Sequence, residues 1–211
     1  MARAPPGYGE GMELLTPADV LPLDRYLAER ERIRTAARAA RAVRRVAVGD
    51  RLSLAFENRE TVLFQIHEMV RVENIHDQAK LDEEVEIYND LVARDGELRA
   101  TFFVEITDRD AIAAHLDSLI GLETRGLWLS VDGEPVAADF EPGHAREDRI
   151  SAVHFVRFPL SPGQVERIAA GRAELEVVVD HPNYRARTPL SAATTEALAT
   201  DVASWAGSAT S

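Results

Sequence analysis

The stretch LWLSVDGEPVAADF, residues 127–140, carries two runs of alternating apolar and polar residues on either side of Asp132-Gly133. An Asp-Gly pair between two alternating runs is a strong signal for a β-hairpin with a tight turn. The segment therefore predicts two adjacent antiparallel strands. It also marks the second half of the chain as the part that is rich in strands.

The segments around this hairpin predict more strands with short helices between them. Strand-like runs occur at residues 98–106, 150–160 and 173–180, and short helices are predicted at residues 107–121, from Pro162 to Gly171, and from Ser191 onward. No unit of strand, helix and parallel strand repeats along the chain. This pattern favours an α+β fold over a doubly wound sheet.

The first half of the chain is mostly helical. One long helix is predicted from Asp24 to about Val46, a strand at residues 51–56, and a helical pair at about residues 59–74 and 78–93. We therefore expect an N-terminal long helix and a helical pair packed on a mostly antiparallel sheet, with short interspersed helices. The expected domain organisation is a single α+β domain at residues 16–206, with disordered tails at 1–15 and 207–211.

The composition excludes several classes of function. The 211-residue chain has no cysteine, which removes disulfides, thiolate zinc sites and thiolate-ligated iron–sulfur clusters. A formal net charge of -12 disfavours binding to nucleic acid or to an anionic membrane surface. No apolar run approaches the roughly 18 to 20 residues that a membrane-spanning helix needs. We therefore expect no nucleic-acid partner and no membrane span.

The predicted helix ENRETVLFQIHEMVRVEN, residues 57–74, is the first place where chemistry could be located. With successive residues about 100° apart, Glu73 and His76 project from the apolar stripe of this helix, provided that the helix extends that far. A buried carboxylate there would need a proton, an arginine or a metal ion. However, Asn74 and Asp77 are typical of the end of one helix and the start of the next, which favours a solvated junction.

Two further histidines lie in apolar strand contexts. His154 alternates with apolar neighbours in AVHFVRF, and His181 stands where the strand VVVD meets a turn. Single histidines on apolar faces are usually hydrogen-bonded core residues. Together with one carboxylate from the early helix, however, two histidines supply the ligands of a 2-His-1-carboxylate iron site.

Four separated blocks of the chain resemble a bacterial family known as domain of unknown function 3501. The blocks are FENRETVLFQIHEMVRVENI, EIYNDLV, SAVHFVRF and DHPNYRA. Members of that family are often encoded beside rubrerythrin-like di-iron proteins and iron–sulfur oxidoreductases. The resemblance therefore implies a cytoplasmic role in redox or peroxide defence, with a redox protein as partner. The family pattern matches this sequence at Gln65, Glu68, Met69, Arg71, Glu73, Tyr88, Asn89, His154, Phe155, Arg157, His181 and Tyr184.

The leading hypothesis is an accessory protein of a redox pathway that binds iron or another divalent metal. Its ligands would be Glu68 or Glu73 together with His154 and His181. Whether the protein is an enzyme is left open. The alanine-lined long helix also predicts a homo-oligomer.

Two rival hypotheses use the same residues differently. In the first, the protein is a non-enzymatic adaptor or structural subunit of an iron–sulfur oxidoreductase complex, and Glu68 and Glu73 form salt bridges with Arg71 or Arg157. In the second, it is a small-molecule binding module whose pocket lies between the helical pair and the sheet.

Overall fold

The computed structural model describes residues 14–106, 112–141 and 150–207. The predicted tails at residues 1–13 and 208–211 lie outside these ranges, as do parts of the helix predicted at 107–121 and of the loop before residue 150. Leu15 belongs to the packed part of the chain, because its side chain is only 2% exposed and its backbone N–H and carbonyl both bond to the Asn89 side-chain amide at 2.9 Å.

The α+β class is confirmed, with the helices concentrated in the first half. In chain order the helices are a 3-10 turn Pro17–Asp19, α1 Leu23–Arg44, α2 Arg59–Glu73, α3 Gln78–Asn89, α4 Ile112–Ser118, α5 Leu122–Arg125, α6 Pro162–Ala169 and α7 Ala192–Gly207. The strands are β1 Arg45–Val48, β2 Leu52–Glu57, β3 Glu97–Val104, β4 Leu127–Val131, β5 Glu134–Ala137, β6 Asp139–Phe140, β7 Val153–Pro159, β8 Leu175–His181 and β9 Tyr184–Pro189.

The strands form two antiparallel sheets, whereas the sequence predicts one. Sheet A has the order β1-β2-β3-β7-β6, and sheet B has the order β5-β4-β8-β9. The predicted hairpin turn at Asp132 and Gly133 is confirmed, with φ of 52° and 84°. The hairpin does not reach Phe140, however, because the chain leaves sheet B after β5 and enters sheet A one residue later, as β6.

Sheet A is covered on both faces. Its inner face packs on sheet B and forms the larger core, with members that include Leu54, Phe102, Val156, Leu129, Val177 and Val202. Its outer face carries Phe155, which packs against the smaller core that α2 forms with Val62, Ile66 and Val70. Alternate residues of one strand therefore enter different cores.

The long helix ends earlier than the sequence predicts. α1 stops at Arg44, and β1 follows it without a loop, whereas the helix was expected to extend to about Val46. The reason is that Val46 and Val48 alternate into the core, and that Gly49, at φ 70°, makes the turn into β2. Arg44 fixes the junction through two hydrogen bonds of 2.9 Å to the Asp201 carboxylate on α7.

The helical pair is confirmed, with a sharp junction. Asn58 begins α2 by accepting the Thr61 N–H at 3.0 Å, and Asn74 ends it in the left-handed conformation at φ 51°. Asp77 then caps the start of α3. Among the described residues, none of the helices is both long enough and apolar enough to cross a lipid bilayer.

Candidate functional site

A row of four charged residues crosses the outer face of sheet A. Strand register places Glu57 of β2 opposite Arg99 of β3, Arg99 opposite Arg157 of β7, and Arg157 opposite Asp139 of β6. We call these four residues the charged row. At its centre two arginines lie directly across from each other, an arrangement that costs stability because like charges repel.

Arg99 connects the charged row to the end of α3. Its Nε donates to a Glu97 carboxylate oxygen at 2.7 Å, and its Nη2 lies 2.6 Å from the same oxygen. Its Nη1 donates to the backbone carbonyl of Asp90, directly after α3. The guanidinium is therefore held in place by an acidic neighbour and by a helix end.

Arg157 is held more loosely. Its Nε lies 3.3 Å from a carboxylate oxygen of Asp139, and its side chain is 55% exposed. Among the described residues, the terminal amino groups of this guanidinium have no hydrogen-bond partner. Arg157 therefore keeps donors that can reach a ligand.

Glu57 forms the buried end of the charged row, with a side chain that is 1% exposed. One carboxylate oxygen accepts from the Thr61 hydroxyl at 2.6 Å and from the Gln65 amide at 3.1 Å. The other accepts from the Thr101 hydroxyl at 2.9 Å and lies 3.7 Å from the Arg41 guanidinium. These donors compensate for the loss of water around the buried charge.

The charged row lines a cavity of about 220 Å³ between the end of α3 and sheet A. Charged and apolar residues contribute to its wall in similar numbers. The lining residues are Glu57, Asp90, Leu91, Arg99, Ala100, Asp139, Phe140, Glu141, Phe155, Val156 and Arg157. The cavity thus combines a concave shape with a few polar groups that face the same space, which is typical of small-molecule sites.

Glu68, a predicted metal ligand, lies at the contact between α1 and α2. Its carboxylate accepts two hydrogen bonds from Arg30 at 2.7 and 2.8 Å, one from the Tyr26 hydroxyl at 2.5 Å and two from Arg71 at 3.0 and 3.3 Å. The hydrogen bonds from Arg30 hold the pKa of Glu68 far below its usual range, while burial raises the pKa of Tyr26. The pairing with Arg71 is the one that the adaptor hypothesis predicted.

The other predicted ligands lie elsewhere. Glu73 is exposed at the last residue of α2. His154 is 2% exposed on the inner face of sheet A, where it packs edge-on against Phe140 and its Nε2 lies 2.9 Å from the Ser151 carbonyl. His181 belongs to sheet B, where its Nε2 lies 3.0 Å from the Ile120 carbonyl.

The structure does not bring the four predicted ligands together. Glu68 and Glu73 belong to a helix on the outer face of sheet A, whereas His154 faces the opposite side. Among the described residues, no group of three or more histidines and carboxylates has the spacing to hold a metal ion. These four residues therefore do not fit one shared site. Binding of iron or another divalent metal stays a prediction, as do the redox pathway, the redox partner and the homo-oligomer.

Sequence reasoning missed three members of the charged row, namely Glu57, Arg99 and Asp139, and considered Arg157 only as a salt-bridge partner. Alternation along β2 and β3 does place Glu57 and Arg99 on the face away from the apolar residues. Glu57 and Arg99 become neighbours only through the register between strands that are distant in the chain. In addition, the residues of β6 were predicted to pair within the hairpin and not with β7.

The chain is similar to a protein of known structure. A novel protein of unknown function from Burkholderia pseudomallei K96243 shares 33% sequence identity with it, with a TM-score of 0.82 over 90% of this chain and 99% of that chain. No curated protein sequence matches the chain. Residues 14–202 match the family described as protein of unknown function DUF3501. The chain therefore belongs to the DUF3501 family.

Proposed function

We propose that the protein is a small-molecule binding module whose ligand occupies the cavity between the end of α3 and sheet A. The observation that carries this proposal is the charged row along one wall of a cavity of about 220 Å³. The position agrees with the hypothesis of a pocket between the helical pair and the sheet.

The size of the cavity suits a small metabolite. Pockets that bind drug-sized molecules commonly have volumes of about 300 to 1,000 Å³. A cavity of about 220 Å³ is just below that range. A nucleotide cofactor would exceed this volume, whereas a metabolite with a short apolar part would fit.

The rigidity of the wall supports a preformed site. β2, β3, β7 and β6 are neighbours in one sheet, and each contributes one residue of the charged row. Arg99 and Glu57 are further fixed by several hydrogen bonds each. A ligand therefore meets groups that are already oriented, which lowers the entropic cost of binding.

A screen of a mixed-charge metabolite library by ¹H–¹⁵N NMR tests the proposal. We expect at least one compound to shift the backbone amides of residues 90–91, 99–100, 139–141 and 155–157, which surround the cavity. Amides of β9, on the opposite sheet, serve as an internal reference and should not move. The proposal is overturned if no compound shifts the cavity amides, or if every binding compound shifts a different surface.

A further inference from the structure

We infer that the ligand is a small monocarboxylate, held by the two arginines at the centre of the charged row. This inference rests on the proposed function, because it names the chemical class that the same cavity would accept. It is carried by the direct pairing of Arg99 with Arg157 and by the terminal donors that Arg157 has available.

Arg99 and Arg157 are cross-strand partners, so an anion that lies between their side chains is attracted by both positive charges. Opposed like charges on neighbouring strands are destabilising, and an anion that contacts both groups converts this repulsion into attraction. Arg99 and Arg157 are also both part of the cavity wall. Binding would therefore offset the repulsion between the two arginines.

The geometry of a guanidinium matches a carboxylate. Its N–H groups form a fixed planar fork that can donate to both oxygens of one carboxylate. Asp139 contacts Arg157 through Nε, on one side of the group. The terminal amino groups thus remain for a ligand, while Asp139 positions the side chain.

The balance of charge around the cavity favours one negative charge over two. Glu97 already pairs with Arg99, and Asp139 already pairs with Arg157. Glu57, Asp90 and Glu141 add three further carboxylates to the wall. A phosphate dianion would bring more negative charge into this surrounding than the two arginines can compensate. A monocarboxylate adds the least charge that still uses the guanidinium fork.

The apolar part of the wall suits the rest of such a molecule. Leu91 and Phe155 line the cavity beside the arginines, and both also contribute to the small core under α2 and α3. An aliphatic or aromatic body lying against them would leave water as its carboxylate meets the arginines. The inferred ligand therefore has one charged end and one apolar end.

¹H–¹⁵N NMR titrations with butyrate, benzoate and further small monocarboxylates test this inference. Each compound is compared with its uncharged amide and with inorganic phosphate. We expect at least one monocarboxylate to bind and to shift the cavity amides, with its amide and phosphate at least about tenfold weaker, as the loss of a charge-assisted hydrogen bond predicts. An Arg157→Gln variant should weaken carboxylate binding by about tenfold or more.

Arg185→Gln is the matched control. It removes the same charge from an exposed arginine of β9, which pairs with Asp180 away from the cavity, and should leave binding unchanged. Circular dichroism establishes that both variants are folded. Equal carboxylate binding by Arg157→Gln and the parent protein overturns the role of the arginines.

The outcomes separate the ligand class from the proposed function. If neutral or cationic compounds shift the cavity amides and no monocarboxylate does, the inferred class is wrong and the binding module stands. If phosphate binds more tightly than every monocarboxylate, the preference for a single charge is wrong. If no compound of any charge shifts the cavity amides, both the class and the proposed function are overturned.

Discussion

Among single residues, Glu68 is a carboxylate that resembles a metal ligand in the sequence, but its hydrogen-bond acceptor positions are filled by other side chains in the structure. It accepts five hydrogen bonds, from Tyr26, Arg30 and Arg71. A carboxylate has about four lone-pair positions, so these bonds fill them. The pairing with Arg71 could be predicted because the two residues are close together in the sequence. The contacts with Tyr26 and Arg30 could not be predicted, because these residues belong to another helix.

We expect Glu68→Gln to lower the free energy of unfolding by about 1.5 to 3 kcal/mol, because it weakens charged hydrogen bonds that are largely shielded from water. Urea denaturation measures this loss. Glu31→Gln is the control, since Glu31 also pairs with arginines of α1 but its side chain is 78% exposed, and it should cost less than about 0.5 kcal/mol. Equal losses in the two variants would contradict the assigned role of Glu68.

Gly49 is a second residue with a specific structural requirement. It turns β1 into β2 at φ 70°, and a Cβ at this position would overlap the Tyr184 hydroxyl. That hydroxyl lies 2.9 Å from the Val48 carbonyl and 3.0 Å from the backbone N–H of Asp50. The turn of sheet A is thereby bonded to a side chain of sheet B.

Gly49→Ala is expected to destabilise the protein by more than about 2 kcal/mol, through backbone strain and displacement of Tyr184. Gly133→Ala is the control, because Gly133 also has a positive φ, of 84°, but nothing lies within 4 Å of the added Cβ. Strain alone should cost about 1 to 2 kcal/mol there. Thermal and urea unfolding give both values, and a loss at position 49 no greater than at 133 would contradict the steric argument.

Among the elements, α1 and α2 are joined by a contact that depends on protonation. His67 of α2 stacks on Tyr26 of α1 with 4.7 Å between ring centroids, and its Nε2 accepts the Leu21 N–H at 2.9 Å. Burial lowers the pKa of His67 from the ordinary 6.5, against a smaller opposite effect of Glu68. A proton on Nε2 would face the Leu21 N–H donor, so the folded state disfavours the charged imidazole.

The unfolded chain therefore binds a proton at His67 more readily than the folded chain does. Stability is retained above the ordinary pKa of 6.5 and is lost as pH falls below it toward the lowered pKa of the folded state. In His67→Phe, this part of the pH dependence should disappear, whereas in the exposed control His76→Gln it should persist. Urea unfolding between neutral and mildly acidic pH measures the slope, and an unchanged slope in His67→Phe would contradict the assignment.

The helices were predictable from sequence because their signals are local. Asn74 and Asp77 lie at the end of α2 and the start of α3, as their capping preferences indicated. β1 was missed because RVAV follows a long helical pattern without a break. Its strand conformation depends on pairing with β2 and on contacts with sheet B, and neither can be read from four residues.

For the whole molecule, the two-sided covering of sheet A decides which candidate residues can meet. Alternation correctly predicted that His154 shares a face with Val156 and Phe158. It could not indicate that this face meets a second sheet while α2 covers the other. The predicted ligands therefore lie in different layers of the fold. The residues of the charged row are neighbours because of the register between strands.

His154→Ala is expected to lower the free energy of unfolding by about 2 to 4 kcal/mol, because it removes a buried ring from between the sheets. Elemental analysis of tag-free protein is the companion measurement. We expect the metal content of each folded protein to be the same with and without the substitution. Stoichiometric metal in the parent protein and its loss from folded His154→Ala would contradict the core role and restore a ligand role for this histidine.

The arrangement of sheet edges limits how another chain can attach. β1 at one edge of sheet A lies beside β8 and β9, and β5 at one edge of sheet B contacts β7 and continues within one residue into β6. Where the edges of two sheets lie beside each other in this way, an incoming peptide has little room to pair with either edge strand. We therefore expect an associating protein to contact helix surfaces and turns rather than to extend these sheet edges.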